Sequence, residues 1–140
     1  MINEVIQRLK DTVPALKLVE GAAGFQAAVE SNPKVTPCVF VIPLEETPGQ
    51  SVDAPVVIQN VRTKIGVVFV VRNLTDAKGL AAKVDLDALR NATKAQLLGW
   101  QPQAGYDPLE RGPGGLLAFR DGHMWWQDIY QSSYVDRSVL

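Results

Sequence analysis

Cysteine and histidine are nearly absent from this 140-residue sequence, which holds one of each, Cys38 and His123. A tetrahedral Cys/His metal site and an internal disulfide both need more such side chains, so neither is expected within one copy. Charge of one sign is not in surplus either. Lys plus Arg number 14 against 15 Asp plus Glu, a formal charge of -1, which gives no global pull toward phosphate backbones or anionic membranes and disfavours nucleic-acid binding. No internal repeat or low-complexity tract occurs, and prolines and glycines fall between apolar segments rather than in one linker. The first ten residues carry charges and no continuous apolar stretch. Neither a signal peptide nor a membrane anchor is expected, and the protein is expected to be made and kept in cytoplasm. The matches to the glycosylation pattern at Asn73-Leu74-Thr75 and Asn91-Ala92-Thr93 therefore carry no weight.

What is present is the composition of a folded domain: 46% hydrophobic and 21% charged residues, close to the average for globular proteins. The length suits a single domain over 1–140. Ile2, Val5, Ile6 and Leu9 recur at helical spacing until Val13-Pro14, which predicts a helix from 2 to 12. A short strand over 16–20 follows. Gly21 and Gly24 then open a shorter helix with Phe25, Ala28 and Val29 on one side, closed by Asn32-Pro33. The run from Pro37 to Pro43 is apolar and β-branched, as a strand covered on both faces would be. Glu45 to Pro55 has prolines, a glycine and no period, and reads as a surface loop.

Residues 56–72 carry the strongest pattern. Odd positions from Val57 to Val71 form a nearly unbroken apolar face, while Asn60, Arg62 and Lys64 on the even face are polar and Val68 and Val70 apolar. At about 3.3 Å per residue such a strand spans roughly 56 Å, against a diameter near 37 Å for a compact domain of this length. It must bend at Gly66, divide in two, or project as an arm. After a second polar loop over 74–83, Leu86, Leu89, Thr93 and Leu97 line one face of a third helix, with Asp85 and Asp87 in its first turn and Gly99 as its cap. Asp121-Gly122 between two apolar strands is the signature of a two-residue type I′ hairpin. It pairs Arg120 with His123, Phe119 with Met124, Ala118 with Trp125 and Leu117 with Trp126, and puts Leu117, Phe119, Met124 and Trp126 on a core side. Trp125 and Trp126 then point to opposite faces, so helices or another chain must cover at least one of them.

Candidate chemistry is sparse. Cys38 lies inside an apolar strand, where a thiol is an inert small hydrophobe, and His123 just after the turn has Asp121 and Asp128 nearby but no triad. Gly112-Pro113-Gly114-Gly115 lacks the Lys-Ser/Thr of a phosphate loop. Glu45-Glu46 and Asp85/Asp87 make no acid/base pair. The aromatic run Trp125, Trp126, Tyr130 and Tyr134 contains no basic residue and suits packing better than base stacking. No enzyme, cofactor or metal is expected.

The stretch from Gly115 to Asp128, Gly-Leu-Leu-Ala-Phe-Arg-Asp-Gly-His-Met-Trp-Trp-Gln-Asp, resembles the C-terminal signature of the small tail terminator proteins of long-tailed bacteriophages. Val5-Ile6-Gln7-Arg8-Leu9-Lys10 followed by Val13-Pro14-Ala15-Leu16, and Ala95-Gln96-Leu97-Leu98-Gly99-Trp100 followed by Pro102, are similar to that family at matching places. The resemblance implies an α+β fold with a mixed, mostly antiparallel sheet and helices packed on one face. It also implies a non-enzymatic virion protein, assembled in the host cytoplasm, that forms a six-membered ring on the head-proximal end of the tail tube. Such a ring stops tube polymerisation, docks the head-completion or connector protein, and lets DNA pass without specific binding. Competing expectations are a neck, head-completion or tail-tube-like structural protein, and a small cytoplasmic ligand-binding module that dimerises through Trp125.

The surplus strand length suggests where copies would meet. Val56, Ile58, Asn60, Arg62, Lys64, Val68, Val70 and Trp125 are the expected subunit-interface positions, with Arg62 and Lys64 meeting acidic groups. Loops carrying Glu45, Glu46, Asp53, Asp76 and Lys78 are the expected tube- or channel-facing positions, where the carboxylates would repel passing DNA.

Overall fold

The computed structural model describes residues 1–52, 55–72 and 80–139, and the side chains of all of these except 80–84. The order of elements is α1 (Ile2–Thr12), β1 (Leu18–Glu20), α2 (Ala22–Ser31), β2 (Cys38–Pro48), β3 (Ile58–Arg72), α3 (Leu80–Leu97), β4 (Glu110–Arg120) and β5 (His123–Arg137). The strands form one sheet in the order β1-β2-β3-β5-β4, with β1 parallel to β2 and every other pair antiparallel. This is the expected α+β fold on a mixed, mostly antiparallel sheet.

β3 is one strand, paired residue for residue with β5 from Ile58↔Arg137 to Arg72↔His123. Its odd positions supply the larger core: Ile65, Val67, Phe69 and Val71 meet Val5 and Leu9 of α1 and Leu86, Leu89 and Leu97 of α3. The even positions Val68 and Val70 join Cys38, Phe40 and Trp125 in a second core, closed by Ala28 and Phe25 of α2. α1 and α3 therefore share one face, and α2 lies on the other. Small residues fill α2, so it can lie close to the sheet, and the ring of Phe25 meets Phe40 and Trp125 edge-on at 6.0 and 6.3 Å.

Three local expectations are corrected. Glu45 to Pro48 is strand rather than loop, because β3 offers a partner along its whole length and the outer side of β2 is free beyond the three residues that β1 covers. Prolines are tolerated on such an edge. α3 begins at Leu80, so 80–83 is helix and Asp85 and Asp87 lie past the first turn; the Leu-Ala-Ala-Lys stretch has high helix propensity. Finally, the Asp121-Gly122 turn has both residues at positive φ, 52° and 73°, and sets the expected pairs as far as Ala118↔Trp125. Trp126 then faces Leu116, because a bulge takes up Leu117. Leu117 and Phe119 stay exposed on this outermost strand.

Candidate functional site

The helices do not cover the whole sheet. β4 pairs with β5 only up to Glu110↔Gln131, and β1 reaches no further along β2 than Phe40. Beyond these points, 44–48 of β2, 58–64 of β3 and 131–137 of β5 continue as a three-stranded end. The expected arm is thus not one free strand but a small sheet with its inner strand paired on both sides.

Alternation along β3 and the register across it assign every side chain of this end to a face. On the α2 side lie Ile58, Asn60, Arg62 and Lys64 with their partners Thr47 and Glu45 of β2 and Gln131, Ser133, Val135 and Arg137 of β5. Asn60, Arg62, Val135 and Arg137 are exposed, and Lys64 and Ile58 half-buried. Glu45 is 4.0 Å from Lys64 across the strands. Arg62, Lys64 and Arg137 stand on this side with Glu45, and Glu110 joins them as the partner of Gln131. Beside Arg62 a shallow polar groove of about 270 Å³ runs past Asn60, Gln131 and Ser133 to Asp107 and Glu110.

The α1/α3 side differs. Val61, Thr63, Tyr130 and Ser132 are buried there, and the segment before β4 folds over them. The Ser132 hydroxyl donates to the Asp107 carbonyl at 2.6 Å, and the Asp107 N–H donates to the Ser133 carbonyl at 2.9 Å. Tyr106 thereby packs against Tyr134, ring centroids 5.0 Å apart and planes tilted by 39°, and the Tyr134 hydroxyl donates to Glu46 at 3.2 Å. Asp136 shares this face. Burial, Glu46, Glu4 and Asp136 together raise the Tyr106 phenol, and burial, Glu46 and Asp136 raise that of Tyr134. Burial is the largest cause of both shifts, and the neighbouring carboxylates add to it.

The expected interface residues divide into two groups. Val56, Ile58, Asn60, Arg62 and Lys64 fall together on the projecting end. Val68, Val70 and Trp125 do not: they are at most 2% exposed in the second core under α2, so the chain's own helix covers the surface expected of a neighbour. Glu45 and Glu46 sit on opposite faces of one strand instead of a common loop. Asp53, Asp76 and Lys78 lie outside the described residues. Asp136 and the Tyr106–Tyr134 pair were missed, although continuing the strand alternation through Tyr134-Val135-Asp136-Arg137 would have placed Asp136 opposite Arg137.

Away from this end the polar side chains perform structural work. Arg90 of α3 makes two hydrogen bonds to Asp128 of β5 at 2.9 and 3.0 Å and lies 4.5 Å over the ring of Trp126, whose Nε1 donates to the same carboxylate at 2.9 Å. Burial, with a smaller contribution from Glu20, pushes the Cys38 thiol up to about 12, so it stays protonated at neutral pH. Among the described residues no group of three or more His, Cys, Asp and Glu side chains is gathered to hold a metal ion, and no helix is long and apolar enough to cross a membrane.

Comparison with known proteins agrees with this architecture. A chain in the virion of a native gene transfer agent particle superposes with a TM-score of 0.59 at 14% sequence identity, over 94% of this chain and 92% of that one. No curated protein sequence matches. The family model of the phage tail terminator protein matches residues 2–138. The chain therefore belongs to the phage tail terminator family and is a structural protein of the bacteriophage virion.

Proposed function

We propose that this protein caps the head-proximal end of the tail tube as a single-domain subunit of a six-membered ring. The ring stops tube polymerisation and presents its other surface to a head-completion or connector protein, while DNA passes through it without specific binding. Membership of the terminator family supports the role. The observation that carries the ring is the three-stranded end, which extends past the pairing of β1 and β4 and has two faces of unlike character. Unlike patches on one subunit make a head-to-tail contact, and such contacts either close into a ring or run on as a filament. A terminator must close, since an open-ended assembly would extend the tube it is meant to stop. Of the expected interface positions, Asn60 and Arg62 are exposed and Val56, Ile58 and Lys64 half-buried in a single copy.

Light scattering over a range of concentrations, with magnesium, paired with negative-stain images of the same sample, tests this reading. The expected result is a mass near six chains and a particle with a central hole. One chain at every concentration would contradict a ring that forms before it meets the tube.

A further inference from the structure

The projecting end is charged with opposite sign on its two faces. On the three strand segments Arg62, Lys64 and Arg137 lie on the α2 side with Glu45, bordered by Glu110 of β4, and Glu46 and Asp136 lie on the other, where no Lys or Arg of the three segments points. Arg62, Arg137 and Asp136 make no ion pair within 4.0 Å among the described residues. Each face also exposes a valine at the tip, Val135 on the basic side and Val57 just before β3 on the acidic side, at 51% and 44%. A sheet that carries cations above and carboxylates below complements another copy of itself laid in the same sense, but not one turned over.

We propose that these two faces are the two halves of a single subunit contact, in which Arg62, Lys64 and Arg137 of one copy dock on Glu46 and Asp136 of the next. The inference rests on the ring reading above and names the surface that would serve it. The occupant is a second copy because the complement to each face is present on the same chain. Repetition of the contact uses both faces of every subunit and leaves none unsatisfied once the ring closes. Tyr134, hydrogen-bonded to Glu46 and packed against Tyr106, supplies an aromatic floor beside the carboxylates, a residue type favoured at interface centres. This assigns Glu46 to a subunit contact and not to the DNA channel.

Charge reversal tests the pairing. One variant carries Arg62→Glu and Lys64→Glu, a second Glu46→Lys and Asp136→Lys, each checked for native circular dichroism and cooperative melting. Neither variant is expected to assemble alone, with at least a tenfold rise in the concentration for half-assembly. A 1:1 mixture is expected to recover the wild-type mass, because in an alternating ring each altered face meets its complement. The neutral variant Glu46→Gln/Asp136→Asn, with a salt titration of the wild type from 50 to 500 mM NaCl, reads the same contact should a reversed chain not fold. Both are expected to weaken assembly. If the wild type assembles and the variants assemble equally well, or the folded variants stay apart when mixed, the proposed pairing is wrong while the ring survives. A wild type that never exceeds one chain overturns both.

Discussion

Asp128 is 2% exposed in its side chain, yet it accepts from both Arg90 and Trp126. Three neighbours make that burial tolerable: the guanidinium neutralises the carboxylate, the indole N–H takes a further lone pair, and Gly114 leaves the room. A Cβ at Gly114 would collide with the Asp128 carboxylate. The cluster bolts α3 to β5. Removing one partner of a buried pair costs about 3 to 5 kcal/mol, and Arg90 keeps a second carboxylate, Asp87, at 3.8 Å. Arg90 is 21% exposed, so Asp128→Ala is expected near the lower end, about 3 kcal/mol by urea denaturation, and Gly114→Ala to destabilise as well. His123 gives a second effect at this scale. Burial lowers its pKa from 6.5, against the opposing hydrogen bond to the Asp121 carbonyl. A group whose folded pKa is depressed contributes stability above its unfolded value and loses it as pH falls through the folded value. The melting temperature is therefore expected to drop as pH falls below about 6.5, and the His123→Gln variant to lose that component of the drop.

At the scale of elements, α2 decides whether the second core is closed. It has one large apolar anchor, Phe25, against Phe40 and Trp125. Phe25→Ala is expected to cost about 3 kcal/mol and to shift tryptophan emission to the red as water reaches Trp125; unchanged emission would mean that something else covers the indole. The helix was legible in sequence, but its side was not, because alanine-rich α2 shows no strong apolar stripe and the tryptophan pair demanded cover without saying which element gives it. β3 was legible as extended backbone because of its period-two face, though its pairing with β5 was needed to show that it neither divides nor stands alone, and the hairpin register was legible because Asp-Gly fixes it as far as Trp125. The bulge at Leu117 escaped, since nothing local in Leu-Leu-Ala-Phe marks where an extra residue sits. The far half of β2 escaped because prolines signal a loop, and only a neighbour's backbone turns them into an edge strand. The basic half of the candidate surface, Arg62 and Lys64, could be read from alternation alone. Its acidic half needed the register of β5 and β2 against β3, which brings Glu46 and Asp136 to one side from 90 positions apart in the chain.

Over the whole molecule, one end of the sheet is closed by helices on both faces, and the other has two unlike faces, one bare and one under the segment before β4. Stability belongs to the first end and assembly to the second. Substitutions at Arg62, Lys64, Glu46 and Asp136 are expected to move the melting temperature of the single chain little, since exposed ion pairs contribute about 0 to 1 kcal/mol, and to act on association instead. The core substitutions at Asp128 and Phe25 should do the reverse. Termination itself is tested most directly by the length of tail tubes grown in vitro from the cognate tube protein, followed by electron microscopy before and after this protein is added. The account predicts that growth stops at the length reached on addition, with a ring visible at one end of each tube. Tubes that continue to lengthen at the same rate, with an assembled ring in excess over tube ends, would contradict it.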